Sequence, residues 1–184
     1  PDMAERTRVT QEALAALVGT RDLLTQHGVG VSIVSGGGTG TYTITGNYPG
    51  VTEVQAGSYA TMDTKYRQVG TGGEAEFEWA LTVLARVIST PTPDVAIIDA
   101  GMKSMTHEFG MPTVMRPEGW ALARLSEEHG SLRREGGAPL KPGDMVELVP
   151  SHGCTTINLH DAYYVTRNDV VEAVWPIAAR GCIR

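Results

Sequence analysis

The chain has 184 residues and 19.6 kDa, with 41% hydrophobic and 20% charged residues, the proportions of a folded domain rather than a disordered chain. A net charge of −6 and a pI near 5.3 leave no basic stripe for phosphates, which excludes a general nucleic-acid binder. No apolar run approaches the roughly 18 residues of a membrane span, and no membrane partner is expected.

The opening Pro1-Asp2-Met3-Ala4-Glu5-Arg6 lacks both a signal-peptide pattern and an initiator Met, as expected of a processed or partial chain. Leu14, Leu17, Val18 and Leu24 then recur at helical spacing. With Thr10 as N-cap and Gly28 as stop, they predict a helix over 10–27. Val29-Gly30-Val31-Ser32-Ile33-Val34 is a β-branched run with little alternation, suited to a strand covered on both faces. It runs into Ser35-Gly36-Gly37-Gly38-Thr39-Gly40, and a second short strand at 51–55 runs into Ala56-Gly57-Ser58-Tyr59. Helix, strand, glycine loop, strand, glycine loop is the cadence of an α/β barrel or open α/β sheet.

After residue 60 the hydrophobic period becomes two. Phe77, Trp79, Leu81, Val83, Ala85 and Val87 predict one long strand, followed by a turn at 91–94 and a strand at 95–99. Further strands are expected at 145–149, 162–167 and 170–175. Residues 121–134 fit a helix through Leu122, Leu125, His129 and Leu132, or a strand through Ala121, Ala123 and Leu125. The neighbouring strands favour strand. The division is therefore an α/β part over 1–60 and a β-domain over 61–184.

Two groups could carry chemistry. The loops at 38–40 and 57–59, at the ends of neighbouring strands, could grip one phosphate, with a hydroxyl from Thr39 or Ser35 as a further donor; a plain flexible connection is the other reading. In Pro150-Ser151-His152-Gly153-Cys154, an extended chain would point His152 and Cys154 the same way, onto one ion. A packed histidine beside a buried thiol fits that spacing as well. Two cysteines, Cys154 and Cys182, suit a reducing, cytoplasmic setting without a disulfide. His107 and Glu108 read as surface groups of a loop. His160 and Asp161, adjacent on a strand, would face opposite ways. None of the three lysines, Lys65, Lys103 and Lys141, sits in an apolar strand where its pKa would be lowered for Schiff-base work.

Five ordered motifs, with a closing pair, carry a family resemblance over nearly the whole chain. They are Gly36-Gly37-Gly38-Thr39-Gly40-Thr41-Tyr42, Glu53-Val54-Gln55-Ala56-Gly57-Ser58-Tyr59, Met62-Asp63, Asp99-Ala100-Gly101-Met102-Lys103 and Pro150-Ser151-His152-Gly153-Cys154. The closing pair is Asn158-Leu159-His160-Asp161 with Val174-Trp175-Pro176-Ile177. Together they resemble the D-threonine aldolase/D-serine dehydratase family, pyridoxal-phosphate enzymes of the alanine-racemase-like fold type.

The resemblance implies the terminal part of an alanine-racemase-like TIM barrel followed by a C-terminal β-domain. It implies a full enzyme about twice this length, a homodimer, whose N-terminal barrel half carries the Schiff-base lysine, so that this chain alone is inactive. Gly38, Thr39, Gly40, Gly57, Ser58 and Tyr59 would hold the cofactor phosphate. His152, as catalytic residue, and Cys154 would bind a divalent metal, zinc ahead of manganese or magnesium. The implied reaction is lysis of a D-3-hydroxy amino acid. Cys154 resembles the zinc-dependent dehydratase members, which release ammonia and a keto acid. Aldolase members, which release glycine and an aldehyde, often have a carboxylate there. A non-catalytic β-domain serving binding or oligomerisation is the alternative of another class; it would predict eroded loop and metal residues.

Overall fold

The computed structural model describes residues 2–70 and 77–182, in two compact units: Pro1–Met62 with Tyr66–Glu78, and Asp63–Lys65 with Trp79–Arg184. Among the described residues no helix is long and apolar enough to cross a membrane.

The first unit opens with α1 (Met3–Gln26), which starts a full two turns before the expected Thr10. Asp2 is the actual N-cap, its carboxylate accepting from the Glu5 amide at 2.8 Å. This first stretch has few apolar residues, and charge sustains it. Arg8 pairs with Glu5 at 2.7 Å and with Glu12 at 2.6 Å, across the separations at which helical side chains meet. Leu14 is buried, and Gly28, at φ +80°, lies just past the helix end.

The strand expected over 29–34 does not form. β1 is only Ser35–Gly36, paired in parallel with β2 (Glu53–Val54), which is all that remains of the strand expected at 51–55. Val34 is buried and its carbonyl accepts from the Thr52 and Glu53 amides, whereas Ile33 is 63% exposed. β-Branched residues favour a ladder but cannot make one without a neighbour along its length. α2 (Tyr42–Gly46) follows β1, a 3₁₀ turn (Ser58–Ala60) follows β2, and α3 (Thr64–Val69) comes next.

The first unit reaches residue 78, beyond the expected boundary at 60. The Arg6 guanidinium donates to the carbonyls of Val69 at 2.6 Å and Gly70 at 3.0 Å. Phe77 packs its ring against Tyr42 and Tyr59, with centroids 5.8 and 5.4 Å apart. These contacts hold Val69, Gly70 and Phe77 in the first unit.

The second unit is a six-stranded antiparallel sheet and a separate two-stranded hairpin. The sheet is built from β3 (Val83–Thr92), β4 (Val95–Ile98), β5 (Thr113–Arg116), β6 (Trp120–Leu125), β7 (Gly130–Arg134) and β8 (Met145–Val149), in the order β5-β8-β3-β4-β7-β6. The long strand expected from Phe77 begins only at Val83. There its partner β8 runs out, because Val83 pairs with Leu148 and Pro150 has no N–H to extend the ladder. Val83, Ala85 and Val87 point inward, as the alternation predicts. β3 runs on through Thr92, so the turn narrows to Pro93-Asp94. Residues 121–134 form the β6-β7 hairpin. The β9 (Ala162–Arg167) and β10 (Val170–Pro176) hairpin matches the two strands expected at 162–167 and 170–175, extended by one residue. The unforeseen strand is β5, four residues between Pro112 and Pro117.

The edge strands β5 and β6 lie against each other across the turn at 117–119, so the sheet nearly closes into a barrel. Ile98, Met105, Leu132, Val146 and Leu148 are fully buried in its core. Leu132→Ala should lower stability by about 2–5 kcal/mol, because the hole left among close-packed side chains cannot fully collapse. Leu132→Met should cost less than about 1.5 kcal/mol. Denaturant midpoints of the two variants, at unchanged slope, check this.

Candidate functional site

In the second unit, β8 delivers Pro150-Ser151-His152-Gly153-Cys154 to a clamped position. The Pro150 carbonyl accepts from the Thr64 amide at 3.1 Å. Ser151, fully buried, donates through Oγ to the Thr106 carbonyl at 3.1 Å. The Gly153 amide donates to Oδ2 of Asp63, also fully buried, at 3.1 Å. The chain is extended only as far as His152, at φ −144° and ψ 121°, which caps α4 (Gly153–Ile157). Cys154 therefore stands in the first turn of a short helix, and not on the strand face expected for it.

The His152 ring is held on two sides. Its Nδ1 lies 2.7 Å from Oε1 of Glu108, and the Phe109 ring stacks on it at 4.5 Å between centroids and 28° between planes. Glu108 Oε1 also accepts from Thr155 Oγ1, which lies 2.7 Å from Thr106 Oγ1. Burial works against ionisation of Glu108. The donors Thr155 and Thr106, its own backbone and His152 outweigh that effect and bring its pKa to about 2. Ionised, Glu108 can only accept, so a neutral His152 carries its proton on Nδ1 and leaves the Nε2 lone pair open.

Cys154 is an exposed free thiol, not the buried cysteine of the alternative reading, whereas His152 is packed against Phe109 and only partly exposed. Burial, and then the charge of Cys154, raise the pKa of the Tyr163 phenol. Imidazole nitrogen and thiolate sulfur are a donor set suited to a borderline-soft divalent ion. Among the described residues no group of three or more His, Cys, Asp or Glu side chains gathers about one point. An ion here would take two ligands from these residues and keep its other positions for water or substrate.

His160 reaches the Ser104 carbonyl through Nε2 at 2.7 Å, and Asp161 pairs with Arg180. Lys65, Lys103 and Lys141 are exposed, Lys103 with Glu128 beside it. Cys182 is a second exposed free thiol, and no disulfide joins it to Cys154.

In the first unit, parallel pairing of β1 and β2 sends both glycine loops off the same end. The Tyr59 amide donates to Thr39 Oγ1 at 3.0 Å and ties them together. Thr39 Oγ1 is buried and accepts from Tyr59, whereas Ser35 Oγ donates to Glu53 at 2.5 Å, so the Ser35 hydroxyl is not the spare donor expected. The amides of Thr39, Gly40, Gly57 and Ser58 have no acceptor among the described residues, whereas those of Tyr59, Ala60, Thr61 and Met62 do. The Gly40 carbonyl is fixed by Arg6 at 3.3 Å. Gly37, at φ +72°, could not carry a Cβ, which would fall 2.5 Å from Thr45 Oγ1.

Sequence reasoning passed over Glu108 and left Asp63 without a role. Glu108 is 44 residues from His152 and Asp63 is 90 from Gly153, so no spacing rule joins them.

The family model described as "Putative serine dehydratase domain" matches residues 80–166. D-threonine aldolase of Arthrobacter sp. is 41% identical over 181 residues, 98% of this chain and 48% of that protein. The crystal structure of D-threonine aldolase from Filomicrobium marinum superposes with a TM-score of 0.92 at 34% identity, over 98% of this chain and 50% of that one. D-threo-3-hydroxyaspartate dehydratase from Delftia sp. HT23 superposes at 0.78 with 30% identity, over 95% and 52%. Alanine variants of such a dehydratase, at a histidine and at a cysteine two positions later, match as well, the cysteine variant in a metal-free form. The chain spans about half the length of the curated relatives it matches.

Because the Glu108 pKa is lowered from 4.5 to about 2, its stabilising contribution is complete above pH 4.5 and is lost as the pH falls towards 2. A carboxyl titration followed by NMR should place its midpoint near 2, and Glu108→Gln should remove this part of the acid dependence of stability. A midpoint in the ordinary carboxylate range would refute the donor network.

Proposed function

Because this chain belongs to the D-threonine aldolase/D-serine dehydratase family and corresponds to the C-terminal portion of its longer members, we propose that the protein is a pyridoxal-phosphate- and metal-dependent lyase of D-3-hydroxy amino acids. Its fold is the terminal part of an alanine-racemase-like barrel followed by a β-domain. One observation carries the functional reading. His152, with its ring fixed by Glu108 and Phe109 and Nε2 left open, stands two residues before an exposed thiol.

The same separation of histidine and cysteine occurs in the D-threo-3-hydroxyaspartate dehydratase variants, one of them solved without metal, which supports His152 and Cys154 as ligands of a divalent ion. A nitrogen and a thiolate favour zinc over manganese or magnesium. In the first unit, the open amides of Thr39, Gly40, Gly57 and Ser58 support the loops Gly38–Gly40 and Gly57–Tyr59 as holders of the cofactor phosphate.

When bound, pyridoxal phosphate spreads the negative charge that develops at the substrate Cα, and a divalent ion draws electron density from the β-oxygen. What this chain contributes is binding and orientation. His152 acts as a ligand through Nε2, the nitrogen that its Nδ1 bond to Glu108 leaves open. The three lysines of this chain are exposed on its surface, so we place the Schiff-base lysine in the barrel half that the longer relatives possess and expect no turnover from this chain alone. The free thiols fit a reducing, cytoplasmic setting, and a homodimer is the expected assembly.

Between the two cleavages, Cys154 favours loss of the β-hydroxyl, a D-serine dehydratase-like reaction giving ammonia and a keto acid. The 41% identity to D-threonine aldolase favours the second reading, Cα–Cβ scission to glycine and an aldehyde. Products from D-serine and D-threonine, identified with the intact protein, decide between them. Chelation should abolish turnover while cofactor absorbance persists, and Cys154→Ala should lower kcat far more than it weakens cofactor binding. Full activity of metal-free protein would refute the metal's part.

A further inference from the structure

We propose that Glu108 is the positioning residue of this centre: it holds the His152 proton on Nδ1 and so keeps Nε2 as the single nitrogen that can meet an ion. The inference rests on the proposed metal site for its purpose, but its geometry is independent of any metal. Glu108 and His152 come from segments 44 residues apart and meet at 2.7 Å. The carboxylate is itself fixed, because Thr155 Oγ1 donates to the same Oε1 and Thr106 Oγ1 lies 2.7 Å from that hydroxyl. The neighbouring Phe109 covers one ring face at 4.5 Å, so proton position and ring plane are set together by residues 106–109. A carboxylate on the far nitrogen also makes the imidazole a better electron donor. Removing such a partner typically costs about 10–100-fold in metal affinity.

Long-range 1H–15N NMR on the intact, metal-free protein reads the His152 tautomer, and titration against a zinc-buffering chelator reads affinity. In the wild type, neutral His152 should be protonated on Nδ1. Glu108→Ala should release a mixture of tautomers and weaken zinc binding by about 10–100-fold. Glu108→Gln has nearly the same shape and an oxygen that still accepts; it should keep the Nδ1–H tautomer with a smaller loss of affinity, and it serves as the test should the alanine variant not fold. Protonation on Nε2 in the wild type would overturn the proposal. So would a Glu108→Ala protein with unchanged tautomer and zinc affinity, or, if only Glu108→Gln folds, loss of the Nδ1–H tautomer in that variant. If the wild type takes up no zinc while the tautomers behave as stated, the metal reading fails and the positioning by Glu108 stands.

Discussion

The end of β8 is the constraint on which the candidate metal centre depends. Val146, Leu148 and Val149 are fully buried, so this strand cannot slip by a residue without turning apolar side chains out of the core. Pro150 then stops the ladder for want of an N–H. The polar groups that follow cannot be left bare in a buried place. Ser151 and the Gly153 amide therefore find Thr106 and Asp63, and the Pro150 carbonyl finds Thr64. With its neighbours on both sides held, His152 has little freedom in where it stands.

The electrostatics at His152 follow from one carboxylate balanced between opposing effects. Burial alone would raise the pKa of Glu108, and the hydroxyls of Thr155 and Thr106 reverse the direction. An ionised acceptor is what makes the Nδ1–H form of the imidazole the stable neutral one. The threonines that surround the carboxylate are thus part of the histidine's chemistry without touching it.

The first unit solves a different problem with other means. Two strands of two residues each cannot by themselves stiffen the loops that leave them. Thr39 does so from inside, its buried hydroxyl accepting the Tyr59 amide, and Arg6 does so from α1 by capturing the carbonyls of Gly40, Val69 and Gly70. Accepting the Tyr59 amide uses a lone pair of the Thr39 hydroxyl and not its proton, and the amides of Thr39, Gly40, Gly57 and Ser58 have no acceptor among the described residues.

The sequence by itself determined the local features. The alternation at Val83, Ala85 and Val87, the hairpin over 162–176 and the paired glycine loops are written in side-chain period and turn chemistry, and these are properties of neighbouring residues. The motif from Pro150 to Cys154 could be picked out for the same reason. Tertiary structure decided whatever needed a distant partner. The run from Val29 to Val34 has strand propensity, yet it forms no ladder of its own, because pairing depends on what lies alongside. Phe77 belongs with Tyr42 and Tyr59 and not with the strand whose period it shares. Glu108 is an ordinary loop acid in the chain order, and only folding sets it against His152, since a hydrogen bond between segments 44 residues apart leaves no trace in spacing.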